Sequence, residues 1–159
     1  MRVAVASDHG GYALKKELLA SLSDLVVEFV DFGCDSEVAV DYPDYASVVA
    51  RKVAIGEFDA GILLCGTGLG MAITANKVPG IRAVTVHDAF SAKATRAHNN
   101  SNILAMGGRV IGPGAADTIA RIFLSTPFEG GRHQRRLDKV KDLEDHFADQ
   151  LDTDVKPSC

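Results

Sequence analysis

Cysteine is scarce in this sequence, and the few residues present stand apart. Cys34, Cys65 and Cys159 form an odd set with no C-x-x-C spacing, which excludes a disulfide framework and a cysteine-built zinc site. No two histidines have the H-x-x-x-H spacing of a zinc helix, and Asp8-His9 alone carries no metal set. The expectation is therefore no metal and no cofactor. A basic excess is missing as well. Lys and Arg number 17 against 21 Asp and Glu, a formal net charge of −4, so no nucleic-acid partner is expected. No apolar run is long enough to span a bilayer, and Met1–Ala6 enters a strand-like segment without a signal-peptide pattern. These absences describe a reduced, cytoplasmic chain with no membrane partner.

The remainder is ordinary globular material. Apolar residues make up 47% and charged residues 24% of 159 positions, enough for one domain that buries roughly two-thirds of its unfolded surface. The expected domain runs over 1–151, followed by a short frayed polar tail over 152–159.

Short β-branched and apolar runs alternate with segments of helical period. Val3–Ala6, Val26–Phe32, Gly61–Leu64, Arg82–Val86 and Ile103–Met106 read as buried parallel strands. Leu14, Leu18, Leu19 and Leu22 recur at helical spacing, as do Ala46, Val49, Ala50 and Val53. Pro43 suits the first turn of that second helix. Ala115–Leu124 reads as another helix and Arg135–Leu151 as a charged terminal one. The pattern implies an α/β fold, a five-stranded parallel sheet covered on both faces. Strand order is not legible in it. The common doubly wound order 2-1-3-4-5 would put a switch point between the first and third strands, where ligands bind.

Residues capable of chemistry gather at the predicted strand ends. The first strand runs into Ser7-Asp8-His9-Gly10-Gly11, the third into Cys65-Gly66-Thr67-Gly68-Leu69-Gly70, and the fifth into Gly107-Gly108-Arg109. The alternating glycines expose backbone N–H groups at a helix start, a place that receives oxyanions and favours thiolate over thiol. The spacing matches neither G-x-x-x-x-G-K-[ST] nor G-x-G-x-x-G. A tight turn around an inert buried cysteine accounts for the local pattern equally well. Arg132 and Arg136 share one helix face if the helix has begun by Arg132, and like charges so placed repel by roughly 0.2–0.5 kcal/mol unless an anion bridges them. A solvated basic patch countered by Asp138, Asp142 and Glu144 is the other account. His9 and His98 fall at element ends, His133 and His146 read as surface residues, and His87 fits either description.

Seven blocks in order make a more specific pattern. Ser7-Asp8-His9-Gly10-Gly11, Asp41-Tyr42-Pro43, Cys65-Gly66-Thr67-Gly68, Ala75-Asn76-Lys77, His98-Asn99-Asn100, Gly107-Gly108-Arg109 and Gly130-Gly131-Arg132-His133-Gln134 span Val3 to about Val140. Together they resemble the B-type ribose-5-phosphate isomerases, in the family that includes galactose-6-phosphate isomerase. The resemblance implies a Rossmann-like three-layer αβα sandwich and a homodimer or dimer of dimers with shared active sites. It implies an aldose–ketose isomerase acting on a small phosphosugar, with Cys65 as proton-transferring base and His98 as ring-opening residue. Asp8, His9, Tyr42, Gly66, Thr67, Gly68, Leu69, Gly70 and Asn99 would line the sugar site. His9, Arg109, Arg132 and Arg136 would hold the phosphate. A glutamate-based version of the family carries its base where this chain has Met71, so the chain resembles the cysteine type. The resemblance leaves two other readings: a six-carbon phosphosugar such as allose 6-phosphate or galactose 6-phosphate, and a non-catalytic phosphosugar sensor on the same scaffold.

Overall fold

The computed structural model describes the backbone of residues 1–154 and the side chains of residues 1–146. The chain divides into two compact units, the first ending at Phe128 and the second beginning at Glu129. The first contains β1 (Arg2–Ser7), α1 (Tyr12–Ser21), β2 (Glu28–Asp31), α2 (Tyr42–Ala54), β3 (Ala60–Cys65), α3 (Leu69–Ala75), β4 (Ala83–Thr85), α4 (Ala89–Asn99), β5 (Ile103–Gly107) and α5 (Pro113–Ser125). The second contains α6 (Arg132–Asp154), which takes in the first three residues of the expected tail. The rest of that tail, 155–159, lies outside the described residues. No described helix is long and apolar enough to cross a membrane.

The sheet of the first unit is parallel throughout, in the order β2-β1-β3-β5-β4. Side chains alternate between its two faces, as the period-2 geometry of a strand requires. Val3 and Val5, Ile62 and Leu64, and Leu104 and Met106 pack with Leu14 and Leu18 of α1, Ala92 of α4, and Ile119 and Phe123 of α5. Ala4 and Ala6, Leu63 and Cys65, and Ile103 and Ala105 pack with Val49 and Val53 of α2 and Met71 and Ala75 of α3. Three layers result, and each fully buried Leu, Ile or Phe stabilises them by about 1.5–3 kcal/mol.

The strand order, which the sequence pattern left open, differs from the common 2-1-3-4-5, because β5 sits between β3 and β4. Burial explains the exchange. All five residues of β5 are buried, whereas β4 has three residues, of which Val84 and Thr85 are only partly covered. The wholly apolar strand takes the inner position and the short one the edge. The switch point between β1 and β3 stands, because β1 pairs with β2 on one side and β3 on the other.

A buried cation ties the β2 end to the site side of the sheet. Lys15 is 2% exposed; its Nζ lies 2.9 Å from Asp31 Oδ2 and donates to the Cys34 carbonyl at 2.6 Å. An ammonium that far from water needs such partners. At the other side of α1 the backbone itself is the constraint. A Cβ on Gly11 would lie 2.4 Å from the Leu64 carbonyl carbon, so α1 starts directly on the end of β3.

Gly11→Ala should therefore destabilise the protein by about 1–3 kcal/mol through overpacking. Gly114 in α5, where an added Cβ would meet nothing within 4 Å, is the control: Gly114→Ala should be neutral or stabilise by up to about 1 kcal/mol. Urea unfolding of both variants measures the contrast.

Candidate active site

Three strand ends meet beyond the carboxyl edge of the sheet. Gly108 N–H donates to the Cys65 carbonyl at 2.8 Å and Arg109 N–H to the Gly66 carbonyl at 3.0 Å, joining the β5 and β3 loops. A Cβ on Gly10 would come within 2.9 Å of Gly66 N, and one on Gly108 within 2.8 Å of the Gly10 carbonyl oxygen. Backbone touches backbone at both places, which only glycine permits.

These loops enclose a cavity of about 250 Å³ lined by Asp8, His9, Gly10, Tyr42, Cys65, Gly66, Thr67, Gly70 and Arg109. Eight of these were expected from the sequence; Gly10 was not, and its role is close packing rather than chemistry. Gly68 and Leu69 belong to the same turn without lining the cavity.

Cys65 ends β3, is 5% exposed, and its Sγ accepts a hydrogen bond from Gly68 N–H at 3.0 Å. Gly68 reaches that geometry with φ +79, a left-handed conformation that side-chain-bearing residues avoid. The helix behind it is shorter than a strong dipole requires: α3 has seven residues. The polar contact that the sulfur receives is thus one aimed N–H rather than a helix macrodipole. Leu69 N–H turns to Thr67 Oγ1 at 3.4 Å. The N–H groups of Gly66, Thr67 and Gly70 have no protein acceptor among the described residues, and all three residues line the cavity. Such donors suit a developing oxyanion.

The charged and polar walls are positioned by separate elements. Asp8, 6% exposed, follows β1 and accepts from Gly11 N–H through Oδ1 at 3.1 Å. His9 Nδ1 accepts from Val40 N–H at 3.2 Å. That bond assigns the proton of a neutral ring to Nε2, leaving that N–H as its one donor. Sequence reasoning had no means of finding this, because Val40 sits 31 residues away in an irregular loop. Tyr42 opens α2, and its ring lies where a Cβ on Gly70 would be, at 2.9 Å. Arg109 runs along Gly66, with Cδ and Nε 3.4 Å from the position of a Cβ there. Met71 is fully buried in the core beneath α3.

Other expected site residues stand elsewhere. His98 and Asn99 end α4, exposed, and do not line the cavity. Arg132 and Arg136 are exposed on the first turns of α6, so the helix does begin where their shared face requires. His133 corrects the sequence reading: it is buried, 6% exposed, with Nε2 accepting from Arg132 Nε at 3.4 Å and lying 3.7 Å from Glu129 Oε2. His87 is half-buried and structural, its Nε2 accepting from Gly107 N–H at 3.2 Å.

Comparison with known proteins identifies the family. A provisionally named sugar phosphate isomerase of Bacillus subtilis is 59% identical over 146 residues, covering 91% of this chain and 98% of that protein. Ribose-5-phosphate isomerase B of Escherichia coli is 47% identical over 143 residues, covering 90% and 96%. The solved ribose-5-phosphate isomerase B of Clostridium thermocellum superposes with a TM-score of 0.90 at 46% identity, covering 92% of this chain and 99% of that one. The model of the Ribose/Galactose Isomerase family matches residues 3–140, and the chain belongs to that family.

Proposed function

We propose that this chain interconverts ribose 5-phosphate and ribulose 5-phosphate through an enediolate, using no metal and no organic cofactor. Membership of the family makes the reaction class an isomerisation of a sugar phosphate. The sugar and the residue roles are the proposal. The observation that carries it is Cys65 Sγ at a cavity wall, holding a backbone N–H, with three uncommitted N–H groups and Arg109 on the same cavity.

The chemistry asks for a base beside the carbonyl carbon. Cys65 as thiolate takes the proton from C2 of the open-chain aldose. The C–H electron pair becomes the C1–C2 double bond, and negative charge moves onto the carbonyl oxygen. The N–H groups of Gly66, Thr67 and Gly70 answer that charge, and one such donor is worth about 3 kcal/mol when preorganised. The thiol then returns its proton to C1, while the hydroxyl proton passes from O2 to O1. A base that holds and releases one proton near working pH is suited to both halves.

The other residues bind and prepare the substrate. Asp8, Tyr42, Thr67 and Asn99 hold the sugar hydroxyls, with Gly68 and Leu69 shaping the turn. Arg109 and His9, through Nε2–H, hold the phosphate; by the resemblance Arg132 and Arg136 add two further cations. The phosphate does not react, so its binding supplies orientation. His98 moves the ring-hydroxyl proton when a cyclic sugar opens.

An assembly of two or four copies with shared active sites belongs to the same reading. It is supported by the exposed apolar side chains on the first unit, Leu69 at 57%, Ile73 at 62% and Phe90 at 82%, the kind of surface that a second copy covers. A reduced, cytoplasmic setting keeps Cys65 a thiol.

The decisive experiment is a coupled isomerase assay across four-, five- and six-carbon phosphosugars, with and without EDTA. Ribose 5-phosphate should give the highest kcat/KM, unchanged by EDTA. Preference for a six-carbon sugar would replace the substrate, and loss in EDTA would overturn the metal-free chemistry. Cys65→Ala should lower kcat by about 10²–10⁴-fold while retaining phosphosugar binding by calorimetry; near-normal turnover removes the base assignment. Mixed and reassociated protomers of Cys65→Ala and His98→Asn should show more activity on ribose 5-phosphate than the two variants give separately, as sites shared between subunits demand. No regain, with mixed oligomers verified by mass spectrometry, means each site is built within one chain.

A further inference from the structure

Downstream of His98 the chain makes a sharp turn that is held with unusual thoroughness. Helix α4 ends at Asn99, and Asn100 caps it in a left-handed conformation, φ 45 and ψ 42, the only positive φ outside glycine among the described residues. A helix end leaves carbonyl oxygens without intrahelical donors. Here two guanidiniums supply them. Arg82, just before β4, donates from Nε to the carbonyls of Asn99 at 3.2 Å and Asn100 at 3.0 Å, and from Nη2 to that of Asn100 at 2.9 Å. Arg96, two residues before His98, donates from Nη1 to the Ser101 carbonyl at 2.5 Å and to Asn100 Oδ1 at 3.3 Å. The hydroxyls of Thr95 and Ser101 share a short hydrogen bond, and Asn102 Oδ1 accepts from Arg82 N–H at 2.8 Å.

Two cations converging on one turn repel each other. Burial, and then the charge of Arg82, hold the Arg96 guanidinium below its usual pKa. The ring of Phe123, 5.3 Å from the guanidinium carbon, covers Arg96 from the other side. The negative end of the α4 dipole and the aligned carbonyls offset the repulsion. Capping alone would be met by a glycine at the position of Asn100 and one basic side chain. The additional restraint falls on the residues that follow His98 and Asn99 in the chain.

We propose that Arg82 and Arg96 are positioning residues for the isomerase site: by fixing the carbonyls of Asn99, Asn100 and Ser101 they set the end of α4 that presents His98. The inference rests on the reading of His98 as the ring-opening group. A displacement of about 1 Å in a catalytic group costs on the order of a hundredfold in rate, so a turn this constrained protects rate as well as fold.

The test uses two substrates and two backgrounds in the full-length protein. Ribose 5-phosphate is cyclic, whereas D-erythrose 4-phosphate cannot close a furanose ring through its phosphorylated C4 oxygen. Arg96→Met should lower kcat/KM on ribose 5-phosphate by about tenfold and on erythrose 4-phosphate by less than about twofold. In a His98→Asn background it should add almost nothing. Arg96→Lys, which keeps a cation at the Ser101 carbonyl, should recover most of the loss; if Arg96→Met does not fold, Arg82→Met, which frees the Asn99 and Asn100 carbonyls, takes its place with the same expectations. Losses that multiply with His98→Asn overturn the positioning role, whatever His98 does. Equal losses of His98→Asn on both substrates refute the ring-opening reading instead, and non-additivity then still decides the role of Arg96. As a readout independent of turnover, the His98 ring resonances should shift in Arg96→Met and return toward their original positions in Arg96→Lys, while those of His9 stay fixed; unchanged His98 signals in Arg96→Met overturn the proposal.

Discussion

Backbone meets backbone at the carboxyl ends of β1, β3 and β5, and the rest of the site hangs on that contact. Gly108 and Arg109 N–H groups dock on the carbonyls of Cys65 and Gly66. Gly10 lies between them with no room for a Cβ. Close approach does two things at once. It brings loops from three strands within the span of one small ligand, and it leaves the sulfur of Cys65 a few ångströms from uncommitted N–H groups. Side chains at those glycines would open the same sheet into a wider, wetter cleft with weaker electrostatics.

The sheet and its helices were legible because burial writes itself into residue type. Val3–Ala6, Gly61–Leu64 and Ile103–Met106 are apolar on both faces, and each lies within a strand of the structure. The order of β4 and β5 was not legible, since local pattern carries no information about neighbours. It follows from a comparison between strands, the five covered residues of β5 against the partly open Val84 and Thr85. Most of the cavity residues were legible for a different reason. In parallel sheets ligands bind in the loops after strands, so naming the strand ends named Asp8, His9, Cys65 to Gly70 and Arg109, whereas Tyr42, at the start of α2, came only with the resemblance.

What escaped the sequence was long-range and polar. The bond from Val40 N–H to His9 Nδ1 crosses 31 positions and assigns the His9 tautomer, yet neither residue signals it. His133 looks like a surface histidine by type but is buried beside Arg132 and Glu129. Lys15 is similar: a lysine on an amphipathic helix suggests solvent, and only the structure shows its ammonium under the β2 end. Hydrogen-bond satisfaction decides such placements, and it depends on partners that folding brings together.

The electrostatics of the chain follow the same separation between global and local. A net charge of −4 would repel a phosphosugar at long range, though a Debye length near about 8 Å screens most of that in cellular salt. Recognition must therefore come from cations and donors within a few ångströms of the ligand. On the cavity wall stand Arg109 and the His9 Nε2–H, the groups placed to make such a contact. Arg82 and Arg96 direct their charge elsewhere, onto backbone carbonyls at the end of α4. Each of these guanidiniums commits donors to oxygens of the chain itself. Arg109 on the cavity wall and the two arginines at the end of α4 are thus distinguishable by their partners. That distinction separates the basic residues of this acidic protein into two environments.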